Sequence, residues 1–391
     1  MNKVVISGLG IVGPHGVGTD SFVKGDSQAA NWFSPWPKDV ELPRPGATIA
    51  QVGAIPSQRF FTDRQMRMMD RAMQLSSVAA GLAIEDAGLD AQAQKEACTF
   101  LGTARAELPS CYNFIRPQLG EKREQLNAAD FPKIARNVAC GQVAIRYGMQ
   151  GPSTVLASGA LASMEAIVRA TQYIRQGRAR VALVGGYEAL SRFALYFFAH
   201  HYQQQLQGEH PQFFGQDEGF VVPSEGACTL ILESEESAKA RGAQIYCDID
   251  RWHCGRLGND QDADWALQES WLHVCQDQPV GLFSAAAGGG SRPHEKTETK
   301  ALRAWLSPTT STQVIAPRAW IGEGEAWASA LQVAIAAAAL RANHVSGTAD
   351  SIAFASSMTA YTQGGALKHR SALVSGFGEN NHYSHLFLSR R

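Results

Sequence analysis

The feature that most constrains this chain is an alternation of short apolar runs with longer helix-like segments, carried out twice along its length. Val4–Gly8 reads as a short buried strand. Asp63–Gly88 then carries Met66, Met69, Ala72, Leu75, Val78 and Ala79 at helical spacing, with Gly88 as a stop. Ala97–Gly102, Thr154–Ala157, Arg180–Gly185 and Ala227–Glu233 read as further strands, and Ala129–Tyr147 and Ala160–Gly177 as helices. The same logic returns in the second half. Val280–Ala286, Gln313–Ala316, Ser351–Ser356, Ala372–Ser375 and His382–Leu388 read as strands, Lys296–Leu306 and Glu325–Asn343 as helices. Strands that alternate with helices predict an α/β protein whose sheets are covered on both faces. Two halves of similar order, 1–240 and 241–391, predict an internal duplication. No low-complexity linker separates them, so they should pack as one unit.

Composition narrows the function. The 45% of hydrophobic residues is enough for a large core, and 35 basic against 36 acidic side chains give a formal net charge of -1. No overall field would draw the chain to nucleic acid or to a membrane surface. Seven cysteines (98, 111, 140, 228, 247, 254 and 275) form no C-x-x-C pair, so a zinc site is not expected. Sparse free thiols fit a reducing, cytoplasmic setting. The opening MNKVVISGLGIVG lacks the long apolar stretch and cleavage site of a secretory leader. Ala326–Ala342 is the most apolar later stretch. Ser329, Gln332 and Arg341 interrupt it, and it reads as a buried helix, not a membrane span.

Several local patterns admit a bland and a sharp reading. Gly8, Gly10 and Gly13 match G-x-G-x-x-G, but Pro14, His15 and Gly16 follow where a nucleotide-binding turn needs a helix. Cys140 and Cys254 are candidate nucleophiles, more simply read as small buried residues. Ser158 and Ser163 show no recognisable base in the sequence and read as cap and packing residues. His382 and His385 look like a ligand pair, but their odd spacing on a strand sends them to opposite faces. His200 and His201 read as part of a polar surface loop. Pro35, Pro37, Pro43 and Pro45 mark an irregular loop.

Five segments in order resemble the β-ketoacyl synthases of the thiolase fold. Val4–Gly16 (VVISGLGIVGPHG) is similar to that family's opening strand and loop, and Met68–Leu89 to its first long helix. Gly141–Ser163 resembles the segment that holds its nucleophile. Gly177–Leu190 and Asp217–Glu233 resemble two further signatures. The resemblance implies a thiolase-like fold, two similar α/β halves packed as one layered α-β-α-β-α unit. It also implies a chemistry. A Cys at a helix N-terminus, its thiol made acidic by the helix dipole, takes an acyl group from an acyl carrier protein. Two His residues, one supported by a Lys, stabilise the thioester oxygen and the enolate formed as a malonyl group loses CO2. Backbone N–H groups form the oxyanion hole. No cofactor or metal is implied.

Placed on this sequence, those positions are changed. The family spacing from Gly-Pro-Ser, here Gly151-Pro152-Ser153, puts the Cys position at Ala160. The first His position precedes a helix-opening Glu, here Glu298, by eleven residues and falls at Ala287. The Lys-Ser-x-x-Gly-His run aligns with Arg318–Glu323, so Arg318 stands for the Lys and Glu323 for the second His. A carboxylate would repel an enolate, and an arginine with a pKa above about 12 cannot act as a neutral base. Arg318 and Glu323 are expected to form an internal ion pair. The Gly-Phe-Gly turn remains at Gly376-Phe377-Gly378, followed by Glu379 in place of the family's next Gly.

Members of the family with this loss include chain-length factors of type II polyketide systems. The resemblance therefore implies a chain without catalysis of its own, paired as a heterodimer with an active β-ketoacyl synthase subunit and serving an acyl carrier protein. It would shape a tunnel for a growing polyketide or aryl-polyene chain. Leu108, Cys111, Tyr112 and Ile115, at helix-face spacing, are the candidates that line it, Cys111 and Tyr112 foremost. Two alternatives stay open: a decarboxylase or acyltransferase with a remodelled site, and a homodimeric carrier-binding protein.

Overall fold

The computed structural model describes residues 2–20, 33–40, 47–119, 126, 128, 131–201, 221–258, 263–286, 293–306, 311–345, 365–378 and 381–390. The strands that order the molecule are β1 (Val4–Gly13), β2 (Cys98–Gly102), β3 (Ser153–Leu156), β4 (Val181–Glu188), β5 (Gly226–Ser234), β6 (Cys247–Arg256), β7 (Leu282–Ser284), β8 (Gln313–Ile315), β9 (Ser371–Phe377) and β10 (His382–Ser389). The main helices are α1 (Arg71–Ala87), α2 (Leu108–Ile115), α3 (Val138–Arg146), α4 (Ala162–Arg175), α5 (Arg192–His201), α6 (Ala263–Cys275), α7 (Pro293–Trp305) and α8 (Glu325–Ala342).

The sheet runs β8-β7-β9-β10-β6-β1-β5-β4-β2-β3. Outward from its middle, β1-β5-β4-β2-β3 mirrors β6-β10-β9-β7-β8 strand for strand. The pairing sense repeats too. β2 is parallel to β3 and β4, as β7 is to β8 and β9. β4–β5 and β5–β1 are antiparallel, as are β9–β10 and β10–β6. The first strand of each series meets at the seam, with Val5 opposite Asp248 and Ile6 opposite Cys247. α1 and α3 cover the outer face of one series, and α6 with α7 that of the other. α4 and α8 pack against each other between the two. This is the expected layering. α8 shows why its sequence is so apolar: Glu325 to Leu340 are all buried. Among the described residues no helix is long and apolar enough to cross a membrane.

Several boundaries differ from the sequence reading. β1 continues to Gly13 with a bulge between Ile6 and Gly8. A Cβ on Gly10 would sit 2.0 Å from the Ala79 carbonyl oxygen of α1. These glycines therefore let a helix lie on the strand, which removes the phosphate-loop reading. The helix expected over Asp63–Gly88 breaks after Arg67. It restarts at Arg71, because Asp70 caps the second piece by accepting from Met73 N–H at 2.9 Å. Where a helix is expected over Ala129–Tyr147, the described residues form a short 3-10 turn, Phe131–Ile134, and then α3. Part of the proline-rich loop is a small hairpin, Phe33–Pro35 against Thr48–Ala50. His200 and His201 end helix α5, and His201 stacks on Phe197 at 4.9 Å. β6, α5 and α6 had no counterpart in the sequence reading, and the strand expected at Ser351–Ser356 lies outside the described residues.

Candidate functional site

Three of the four positions singled out in the sequence, Ala160, Arg318 and Glu323, come together where the inner helices α4 and α8 begin. Ala160 lies in a 3-10 turn, Gly159–Leu161, that leads into α4, and it is buried. Gly159 makes the turn with φ +72°, a backbone state that a side chain resists. At this helix start a thiol would meet a positive dipole; a methyl group offers nothing to acylate. The Ala160 carbonyl is also taken, accepting from the Ser329 hydroxyl of α8 at 2.5 Å.

Arg318 is only 1% exposed and Glu323 5%. Their side chains pair at 3.1 Å, Arg318 Nη1 donating to Glu323 Oε2. Arg318 Nη2 donates to Ser329 Oγ at 3.0 Å, and Glu325 N–H donates to Glu323 Oε1 at 2.9 Å. Both carboxylate oxygens of Glu323 thus have partners inside the protein. Its backbone is fixed as well: N–H donates to Val222 O, and its carbonyl accepts from Ser224 N–H. The network continues outward. Glu325, held at φ +48°, pairs with Arg105, whose guanidinium carbon lies 3.5 Å above the centre of the Phe197 ring. The Arg105 N–H in turn donates to Glu188, a buried carboxylate that also accepts from Ala104 N–H and the Thr103 hydroxyl. Burial pushes the Glu188 carboxyl up to about 7 against the pull of these donors.

On the other inner surface, Gln332 donates to the carbonyls of Ala285 at 2.6 Å and Ser375 at 3.1 Å, tying the ends of β7 and β9. Glu298 accepts from Ala286 N–H at 3.1 Å, so the strand end beside residue 287 is anchored to α7. Ala287 itself lies outside the described residues. Glu298 does not open its helix, which begins at Pro293. Gly376 and Phe377 are ladder residues of β9, opposite Ser384 and Tyr383, not a turn. Only Gly378 lies past the strand end. A Cβ on Gly376 would strike Met164, and one on Gly378 would lie 3.0 Å from Leu161, so this strand end abuts the Ala160 turn.

The alternative nucleophiles fare differently. Burial raises the thiol pKa of Cys140, and burial together with the nearby Glu165 charge raises that of Cys254. Neither is a thiolate site. Ser158 does have a base beside it, contrary to the sequence reading: its hydroxyl donates to Glu165 Oε2 at 2.5 Å. Ser163 is fully buried. His382 is exposed and His385 completely buried. Among the described residues no group of three or more His, Cys, Asp or Glu side chains is placed to hold a metal ion.

Leu108, Cys111, Tyr112 and Ile115 lie on α2, which follows Arg105 at the outer end of this network, Leu108 N–H donating to the Arg105 carbonyl. Leu108, Tyr112 and Ile115 are 39%, 37% and 48% exposed, with Leu119 and Phe131 exposed nearby. Tyr112 packs on Phe193 of α5 at 4.3 Å, and the Cys111 thiol points to the Ile134 carbonyl at 3.4 Å. An apolar helix face open to solvent is the mark of an interaction surface. β3, the last strand of the sheet, is also largely exposed.

Sequence reasoning passed over Arg105, Glu188, Glu325, Ser329 and Gln332. Two left a signal. Ser329 and Gln332 sit at i, i+3 in an otherwise apolar helix, and a polar side chain in such a place must find a partner.

Residues 1–238 match the β-ketoacyl synthase N-terminal domain family. The tetracenomycin polyketide synthase ketoacyl synthase beta subunit of Streptomyces glaucescens is 27% identical over 86% of this chain and 85% of its own length. The 3-oxoacyl-[acyl-carrier-protein] synthase 2 of Synechocystis is 26% identical over 77% of this chain and 76% of its own. Among solved structures, the ishigamide ketosynthase/chain length factor superposes with a TM-score of 0.84 at 19% identity, covering 100% of this chain and 99% of that one.

Proposed function

Because this chain belongs to the β-ketoacyl synthase family, we propose that it is a chain-length factor: a subunit without catalysis of its own that pairs with an active β-ketoacyl synthase and shapes the tunnel for a carrier-bound polyketide or polyene. The network at Ala160 carries this reading. Condensation requires a nucleophile to hold the acyl group and neutral or cationic donors to stabilise an enolate. Here the nucleophile position is a methyl group. The positions that the family fills with Lys and His hold a buried ion pair whose hydrogen bonds are directed inward. Opening it to receive a substrate oxygen would strand a buried guanidinium, which costs about 3–5 kcal/mol.

Three observations support the pairing. The apolar face of α2 is exposed, the edge strand β3 is open, and the relatives include a protein named as a beta subunit. Under this reading Leu108, Cys111, Tyr112 and Ile115 face the partner and its tunnel. The strand end Gly376–Gly378 keeps the place of the gate without its role. Each half, 1–240 and 241–391, supplies one of the mirrored strand series. The acyl carrier protein serves the partner's cysteine.

One observation favours a second reading, an acyltransferase with a remodelled site: the Ser158–Glu165 hydrogen bond next to the Ala160 turn. A lone carboxylate is a weak base for a hydroxyl, and Ser158 is exposed. Co-expression with β-ketoacyl synthases separates the readings. The chain-length-factor reading expects co-purification and product only when both subunits are present. A stable homodimer that turns over acyl-carrier substrates by itself would overturn it.

A further inference from the structure

We propose that His253 and His273 form a two-imidazole site for a divalent transition-metal cation of the zinc class, strapping the outer helix α6 to the seam strand β6. His253 lies on β6, directly across the ladder from His385. The neighbouring Cys254 faces the opposite way, toward Ser384. His273 comes from the last turn of α6 and is exposed. The two rings lie 4.7 Å apart at 52°. Two imidazoles on one tetrahedral ion, with metal–nitrogen bonds of about 2.0–2.1 Å, hold their ring centres roughly 5 Å apart. The observed separation of 4.7 Å is close to that spacing.

The chemistry fits as well. A neutral imidazole keeps the lone pair that a borderline metal takes. His253 Nδ1 is buried with no hydrogen-bond partner among the described residues. His385 takes no part. It is sealed among Trp271, Phe377 and Tyr383, with its ring stacked on Tyr383 at 4.8 Å. With two protein ligands, water completes the coordination, so the site is open and of modest affinity.

The competing explanation is aromatic packing alone, since His253 also lies 5.5 Å from the Tyr383 ring. The variant His273→Phe keeps a ring in place and removes a ligand. Thermal unfolding of the full chain, with its partner if the two co-purify, is recorded with and without about 100 µM zinc chloride. Magnesium chloride serves as the control. Zinc should raise the midpoint by about 2 °C or more. Magnesium should not, and His273→Phe should lose the response while keeping its metal-free midpoint. Equal responses in wild type and His273→Phe would overturn the proposal, as would no zinc response in either.

Discussion

The starts of the two inner helices, one from each strand series, make an instructive comparison. α4 begins after an open 3-10 turn with no side-chain cap, and Ala160 in that turn carries only a methyl group. α8 begins at a residue with φ +48° and is crowded with charge: Arg318, Glu323, Glu325 and Arg105 all meet there. The scaffold around both is the same, strand for strand. Under the proposed function, catalytic chemistry is absent at one helix start and gives way at the other to a different buried network. A scaffold held by sheet pairing and an apolar interior does not depend on what sits at these two points, so both can change while the layers stay intact. The charged replacement needs its own partners, because a buried ion without them is strongly unfavourable.

The largest expected effect tests the crowded side. Glu323→Gln leaves Arg318 buried opposite a neutral group and should cost about 3–5 kcal/mol in denaturant unfolding. Replacing both partners, Arg318→Met with Glu323→Leu, should be neutral or stabilising by about 1–4 kcal/mol. A cost under about 1 kcal/mol for the single change would mean that the pair is not the strut described.

A second effect is one of pH. Burial holds the His385 imidazole down to about 3, against 6.5 for an ordinary histidine. The unfolded chain takes the proton below 6.5, while the folded chain refuses it until about 3. Stability should therefore fall as pH drops through that window. His385→Phe should flatten this slope in urea titrations from pH 7 to 4. An unchanged slope would assign acid sensitivity to other groups.

Ser329→Ala removes the hydroxyl that links the two helix starts, Arg318 on one side and the Ala160 carbonyl on the other. About 1–3 kcal/mol should be lost. If nothing is lost, the two starts are independent. The smallest effect on stability, and the most informative about function, is expected on α2. Cys111→Trp should leave the fold intact and shorten the product of the co-expressed pair, read by mass spectrometry of the released chains. Unchanged product length would remove Cys111 from the tunnel.

The two helix starts were unequally legible in the sequence. The resemblance to the family leads from Gly151-Pro152-Ser153 to Ala160 and from its Lys-Ser-x-x-Gly-His run to Arg318–Glu323, because both depend on local order along the chain. Arg105, Glu188 and Glu325 were invisible. Their contacts join residues far apart in sequence, and nothing local marks a Glu at a strand end as a buried acceptor. β1, β4 and β5 were easy to read because burial on both faces makes them almost continuously apolar. β6 was missed because Cys-Asp-Ile-Asp-Arg-Trp-His carries charges on the half-buried seam. α6 was missed although Leu267, Ser270, Trp271 and Val274 have helical spacing. The break at Met68 was hidden because apolar periodicity continues across it, while Met68 caps the end of the first helix and Asp70 the start of the second.

Under the chain-length-factor reading, this chain takes no acyl group and releases no CO2 by itself. The most direct test incubates the purified chain, without a partner, with acyl- and malonyl-loaded carrier protein, and follows intact protein mass and CO2. No added mass and no CO2 above the carrier-only control are expected. An acyl adduct, above all on the peptide bearing Ser158, or CO2 released by the chain alone, would contradict it.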